Sequence, residues 1–165
     1  MMSVAKLTDH SIQVSNNEKL QISLGKSRYE TSWKNQTMLW SVLLSRLSKS
    51  LETPETHAEY MKMSKDQQDR LKDIGGFVGG YLKDGKRRTG TVVSRRILTL
   101  DMDFAPKDLT IGLDAAYAVY STHKHTKDKP RLRLVMPLDR EVSPDEYEAV
   151  ARKVAEKIGG RDCSC

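Results

Sequence analysis

Cysteine is nearly absent from this sequence of 165 residues: only Cys163 and Cys165 occur, both at the C-terminal end. They cannot staple distant segments together, so stability must come from a packed core, and a reducing compartment is expected. A Cys-x-Cys tail offers two soft ligands, which is not a metal site by itself. Long apolar runs are missing as well. No stretch approaches the ~20 apolar residues that cross a bilayer, and the first residues carry no apolar signal core. No membrane association and a cytoplasmic location are therefore expected. Aromatic residues make up only 6% of the chain, which argues against a single-strand binder built on many stacking platforms. Internal repeats and low-complexity tracts are also lacking.

What is present is a sufficient apolar fraction, 38%, with 30% charged residues and a formal charge of +6. The length suits one domain, or one domain with a small appendage. The excess of Lys and Arg favours an anionic partner, either nucleotide or nucleic acid.

Patterning divides the chain near Gly75-Gly76. Residues 1–74 read as a mainly helical region. Residues 1–20 are polar, and a short strand is predicted over Leu20 to Leu24. Met38, Leu39, Val42, Leu43 and Leu47 recur at helical spacing and predict an amphipathic helix from Trp33 to Ser48. Thr53-Pro54 breaks the chain before a helix from about Glu55, and Ser64 caps another over Lys65 to Lys72. Residues 75–165 read as an α/β region. One strand is predicted around Phe77, Val78, Tyr81 and Leu82. Lys83 to Gly90 form a basic loop bounded by glycine. Strands follow at Thr91–Val93, Ile97–Phe104, Ala116–His123 and Arg131–Pro137. Ser143 and Glu146 form a capping box with Pro144 at the first helical position, and Tyr147, Val150, Val154 and Ile158 mark the buried stripe of a helix that Gly159-Gly160 ends. The two regions together predict a single α+β domain.

Three of these strands alternate between an apolar face and a polar one. Over Ile97–Phe104, Leu98, Leu100, Met102 and Phe104 fall on one face, with Thr99, Asp101 and Asp103 on the other. Carboxylates two residues apart on a strand lie about 7 Å apart and project together. They suit a hard divalent cation, Mg²⁺ or Mn²⁺; the other reading is a solvent-facing strand end. Tyr117, Val119, Ser121 and His123 share a face of the second strand, where a hydroxyl and an imidazole could grip phosphate. No nucleophile elbow surrounds Ser121, which argues against a hydrolase pair. On the third strand Arg131, Arg133 and Val135 oppose Leu132, Leu134 and Met136. Guanidinium forks suit phosphate oxygens, and they equally suit structural ion pairs with Asp101 and Asp103.

Asp101-Met102-Asp103, Ser121-Thr122-His123 and the Pro130-Arg131-Leu132-Arg133-Leu134-Val135 strand resemble, in order and spacing, the motifs of the archaeo-eukaryotic primase superfamily. With Gly75-Gly76-Phe77-Val78-Gly79-Gly80 and Lys124-His125-Thr126, the chain resembles, from about Ser23 to Gly160, the N-terminal region of phage and prophage replication proteins of the virulence-associated E family. The resemblance implies a primase-polymerase-like catalytic sheet with flanking helices. It implies nucleotidyl transfer onto a template-bound strand in a bacterial or phage-infected cell. Asp101 and Asp103 would hold the catalytic metals, Mg²⁺ or Mn²⁺. Ser121 and His123, with Arg131 and Arg133, would contact the nucleoside triphosphate. The family's third motif places an acidic residue beyond the last helix, followed by a Ser/His-Arg segment. Asp162 stands near that place without those surroundings. Relatives carry a downstream helicase-like domain.

Three classes therefore compete. They are a primase-polymerase whose sequence here is a piece of a longer protein, a catalytically incomplete module that binds nucleotide or DNA, and a metal-dependent nuclease. The Ser-x-His and Pro-Arg-x-Arg segments argue against the nuclease, because they suit a triphosphate better than a scissile diester. Lys83, Lys86, Arg87 and Arg88, with Arg95 and Arg96, are the predicted contacts to single-stranded or primed DNA.

Overall fold

A computed structural model of the chain describes residues 18–103, 105–106, 109, 111–159 and 163–164. Phe104 and Asp162 lie outside the described residues, as do residues 1–17. Among the described residues, eight strands form two antiparallel sheets, accompanied by four helices.

The first sheet has the order β2-β1-β3, from β1 (Lys19–Gly25), β2 (Lys34–Leu39) and β3 (Gly76–Val78). Leu20 and Ile22 of β1 are fully buried and Leu24 packs beside them, the alternation of a half-buried strand. Ser23 is buried on the opposite side, and its hydroxyl donates to the Gly80 carbonyl at 2.8 Å. The segment from Trp33 to Ser48 departs from the helix expected there. Its first half is β2, and only α1 (Trp40–Leu47) is helical. Lys34 to Thr37 carry no apolar side chain to favour either period. What decides is non-local: the ladder to β1, and Asn35, whose amide bonds both the carbonyl (2.7 Å) and the N–H (3.1 Å) of Leu82.

The helical region expected over residues 1–74 thus contributes two strands to a sheet, besides α1, α2 (His57–Lys62) and α3 (Lys65–Leu71). Capping boxes at Thr56–Glu59 and Ser64–Gln67 start the last two helices. Buried Gln68 locks them together, donating to the carbonyls of Tyr60 (3.1 Å) and Met63 (3.2 Å).

The single strand expected across Phe77 to Leu82 is two strands in two sheets. Gly79 separates β3 from β4 (Gly80–Leu82). A Cβ on Gly79 would stand 2.5 Å from the Ile97 carbonyl oxygen, and its own carbonyl accepts the N–H groups of Arg96 (2.8 Å) and Ile97 (3.0 Å). Only glycine allows the chain to cross there.

The second sheet runs β4-β5-β7-β6, from β5 (Val92–Met102), β7 (Leu132–Val142) and β6 (Ala118–Ser121). The two strands expected over Thr91–Val93 and Ile97–Phe104 are one, β5, which bends at an irregularity between Arg95 and Ile97. Short β8 (Cys163–Ser164) pairs Met102 and Asp101, on the edge of β5 away from β7. Helix α4 (Pro144–Lys157) starts at the Ser143–Glu146 capping box. It covers the face made by Leu98, Leu100, Met102, Leu134, Met136 and Leu138, packing Tyr147, Ala151, Ala155 and Ile158 against it. The opposite face presents Ile97, Val135 and Ala118 to the first sheet, where Leu20, Ile22, Met38, Trp40 and Leu43 close a second core. The central sheet is therefore sandwiched, and its polar residues stand at the end of the layer the first sheet covers.

Candidate active site

In an antiparallel ladder, residues directly opposite each other emerge on the same face. The register pairs Asp101 with Arg133 and Met102 with Leu132, so residues two further out, Asp103 and Arg131, continue the same row. The structure brings these four side chains together as a two-rung ladder. Arg133 grips Asp101 with a forked pair, Nε to Oδ1 and Nη2 to Oδ2, the latter at 3.0 Å. Arg131 Nη1 stands 3.3 Å from Asp103 Oδ1. The ion pairing that the residue pattern admitted is thus present. Both rungs also meet solvent, with the Asp101 and Asp103 side chains 39% and 49% exposed.

Tyr120 sits opposite Arg133 in the β6–β7 register and shares the same face. Burial raises its phenol pKa, against the lowering effect of the neighbouring Arg133. Burial likewise opposes the charge on Arg133, but the hydrogen bonds it donates to Asp101 and Tyr120, with the Asp101 charge, outweigh it and raise its pKa. Arg133 is a fixed cation at every accessible pH.

Ser121 departs from the expected arrangement. It pairs with Leu132, and Val119 pairs with Leu134, so Ser121 emerges on the α4 side, opposite to the Asp101 face. Strand alternation correctly groups it with Val119, but the register assigns that group to the other face. His123 lies past the end of β6, in a turn, so alternation does not place it. The turn folds back on β7: Thr122 N–H donates to the Arg131 carbonyl (3.0 Å), and Arg131 N–H donates to His125 Nδ1 (3.2 Å). The His123 ring meets Tyr60 of α2 edge-on. Burial lowers the His123 pKa; the Glu55 carboxylate opposes this, while Lys72 and His57 add to it. Tyr60 and Glu55 carry no signal in the sequence that ties them to a histidine more than sixty residues away.

The basic residues divide. Lys83 to Gly85 form a single 3₁₀ turn, and the loop after it lies against residues 27–33. Arg87 stacks over the Trp33 ring with 4.8 Å to its centre. Arg95 instead lies over Tyr147, 4.7 Å from the ring centre, and Arg96 pairs with Glu18 at 2.6 Å with only 14% of its side chain exposed. Arg95 and Arg96 are thus held by the strand's own surroundings, apart from the loop.

The sequence profile described as the VapE N-terminal domain matches residues 5–162. The chain belongs to this family. The VapE N-terminal domain is a component of phage and prophage replication-associated proteins, and the match includes both rungs of the acid–arginine ladder and the turn bearing His123. No curated protein and no solved structure matches the chain.

Asp101 and Asp103 fit a hard cation in donor type and exposure. Among the described residues no group of three or more His, Cys, Asp or Glu side chains gathers into a cage. A cation held there would draw the rest of its shell from water or from phosphate oxygens. No helix among the described residues is long and apolar enough to cross a membrane.

Proposed function

We propose that this domain carries out template-directed nucleotidyl transfer as the primase-polymerase part of a phage or prophage replication protein. The observation that supports it is the two-rung ladder, which gathers two carboxylates and two guanidiniums at one solvent-facing end of the central sheet. Asp101 and Asp103 would hold Mg²⁺ or Mn²⁺. The metal would neutralise triphosphate charge and activate the attacking hydroxyl. Arg131 and Arg133 exchange a carboxylate for phosphate oxygens, to which a guanidinium fork is equally suited. His123, held neutral by burial, donates one N–H to the same triphosphate. Ser121, on the other face, reaches it only around the end of β6. Single-stranded or primed DNA is the second substrate, and a helicase-like domain or protein the expected partner.

Calorimetry with Mn²⁺ and a non-hydrolysable nucleoside triphosphate tests this reading. The Asp101→Asn, Asp103→Asn double variant should lose metal-dependent binding, and equal binding by variant and parent overturns the assignment.

A second reading, a module that binds nucleotide without transferring it, draws support from the forked bond that occupies both oxygens of Asp101. Primer extension with labelled nucleotide separates the two: binding without incorporation at any Mn²⁺ concentration favours the module.

A further inference from the structure

The hairpin end at residues 26–32 and the basic loop at residues 83–90 are one surface. Trp33 N–H donates to the Gly85 carbonyl (2.7 Å) and Arg87 N–H to the Thr31 carbonyl (2.8 Å). Arg87 Nη1 donates to the Arg28 carbonyl (3.0 Å), and Lys86 Nζ to the Ser32 hydroxyl (3.0 Å). Buried Trp33 supports both loops, with its indole N–H on the Glu30 carbonyl (3.1 Å) and its ring under Arg87. Helix α3 and the turn after it brace the hairpin end from the other side, Asp69 of the helix pairing with Arg28 (3.2 Å) and Asp73 of the turn accepting the Arg28 N–H (2.8 Å). These two loops hold six Lys and Arg against two carboxylates, a net of four out of the chain's +6.

At the tip of this surface Tyr29 is 64% exposed, with the Arg28 guanidinium 5.7 Å from its ring centre. A tyrosine tip costs apolar exposure and has no core to serve. Cation and ring are already arranged as one half of a stack.

We infer that residues 26–32 and 83–90 form a binding surface for single-stranded nucleic acid, on which Tyr29 stacks a base and Arg87, Arg88 and Lys26 meet the adjoining phosphates. The inference rests on the proposed replication role only in taking nucleic acid as the partner class. The exposed ring suits that class: a base has a face to lay on it, next to cations that meet its phosphates. The cross-bonded loops fix the backbone that carries the ring, so ordering of the loop adds little cost to the stack.

Fluorescence anisotropy with a labelled oligothymidylate of about twelve nucleotides tests the surface. An abasic oligomer of equal charge and polyglutamate serve as comparators. Tyr29→Leu should weaken oligothymidylate binding about tenfold, with its salt dependence unchanged, and leave the abasic oligomer unaffected. Tyr29→Phe should bind as the parent does. Arg87→Ala or Arg88→Ala should weaken both oligomers and reduce the salt slope by about one. Unchanged oligothymidylate binding by Tyr29→Leu, or displacement by polyglutamate as effective as by DNA, overturns the inference. The Asp101→Asn, Asp103→Asn variant should keep full oligothymidylate affinity. Loss of nucleotide binding in that variant, with this surface intact or not, therefore bears on the other proposal alone.

Discussion

The imidazole of His123 lies edge-on to the ring of Tyr60, with ring centres 4.4 Å apart and planes inclined at 61°. Tyr60 is 2% exposed, and its hydroxyl is buried with no hydrogen-bond partner. The contact joins α2, early in the chain, to the turn that follows β6.

Burial beneath this helix holds the His123 pKa below its ordinary value of 6.5. The unfolded chain then binds a proton more readily than the folded one. Stability from this group is complete above pH 6.5 and falls as the pH drops from there toward the lowered folded value. Imidazole NMR signals followed across pH should give a midpoint below 6.5 in the parent and a higher one in Tyr60→Leu. Tyr60→Phe should be neutral or stabilising by up to about 1 kcal/mol, because it removes an unpaired buried hydroxyl.

Replacing His123 or Arg131 by Ala should weaken triphosphate binding on the order of tenfold to a hundredfold, and monophosphate binding much less. Arg131→Ala should change stability by less than about 1 kcal/mol, since its ion pair with half-exposed Asp103 is screened by water. Melting temperature and both affinities measured on the same variants decide the point. A large stability loss without selectivity for triphosphate would assign Arg131 a structural role only.

Tyr147→Phe should destabilise the fold by about 1–3 kcal/mol. Between the stretches of β5 paired to β4 and to β8, the backbone of Thr99 has the Tyr147 hydroxyl as its partner. That hydroxyl accepts from Thr99 N–H (3.1 Å) and lies 3.2 Å from the Thr99 carbonyl, to which it donates. Phenylalanine keeps the packing and loses both bonds, which urea denaturation will register as a lower midpoint at unchanged slope.

Gly25→Ala should cost roughly 1–3 kcal/mol by overpacking. A Cβ there would stand 2.1 Å from Trp33 Cε2, in the middle of an indole that is itself buried and bonded. Thermal melts will show the loss. Because Trp33 also supports the basic loop, the same variant should weaken oligothymidylate binding.

Local chemistry made part of this legible in the sequence. Ser143-Pro144 with Glu146, and Ser64 with Gln67, set helix starts through bonds spanning three residues, and both stand where they were expected. The apolar alternation of Leu98, Leu100 and Met102, and of Leu134 and Met136, likewise set one core face of each strand. Non-local pairing decided the rest. Lys34 to Thr37 become a strand because β1 and Leu82 supply partners. Ser121 turns to the α4 side because β6 docks on β7 in a register that no short-range pattern encodes. The alternating faces of the strands admit the pairing of Asp101 with Arg133 as an alternative, but its forked geometry depends on the β5–β7 register.

The crossing at Gly79 has a mechanical consequence. Gly79 carries the chain from the three-stranded layer to the central sheet, and its carbonyl holds the N–H of Ile97, a residue whose side chain is buried in the second core, between the layers. With the Ser23–Gly80 bond and the shared core, that crossing ties the opening of one layer to the opening of the other. The amides of β1 and of the middle of β5 should therefore exchange with solvent at one common, slowest rate, as a single cooperative unit.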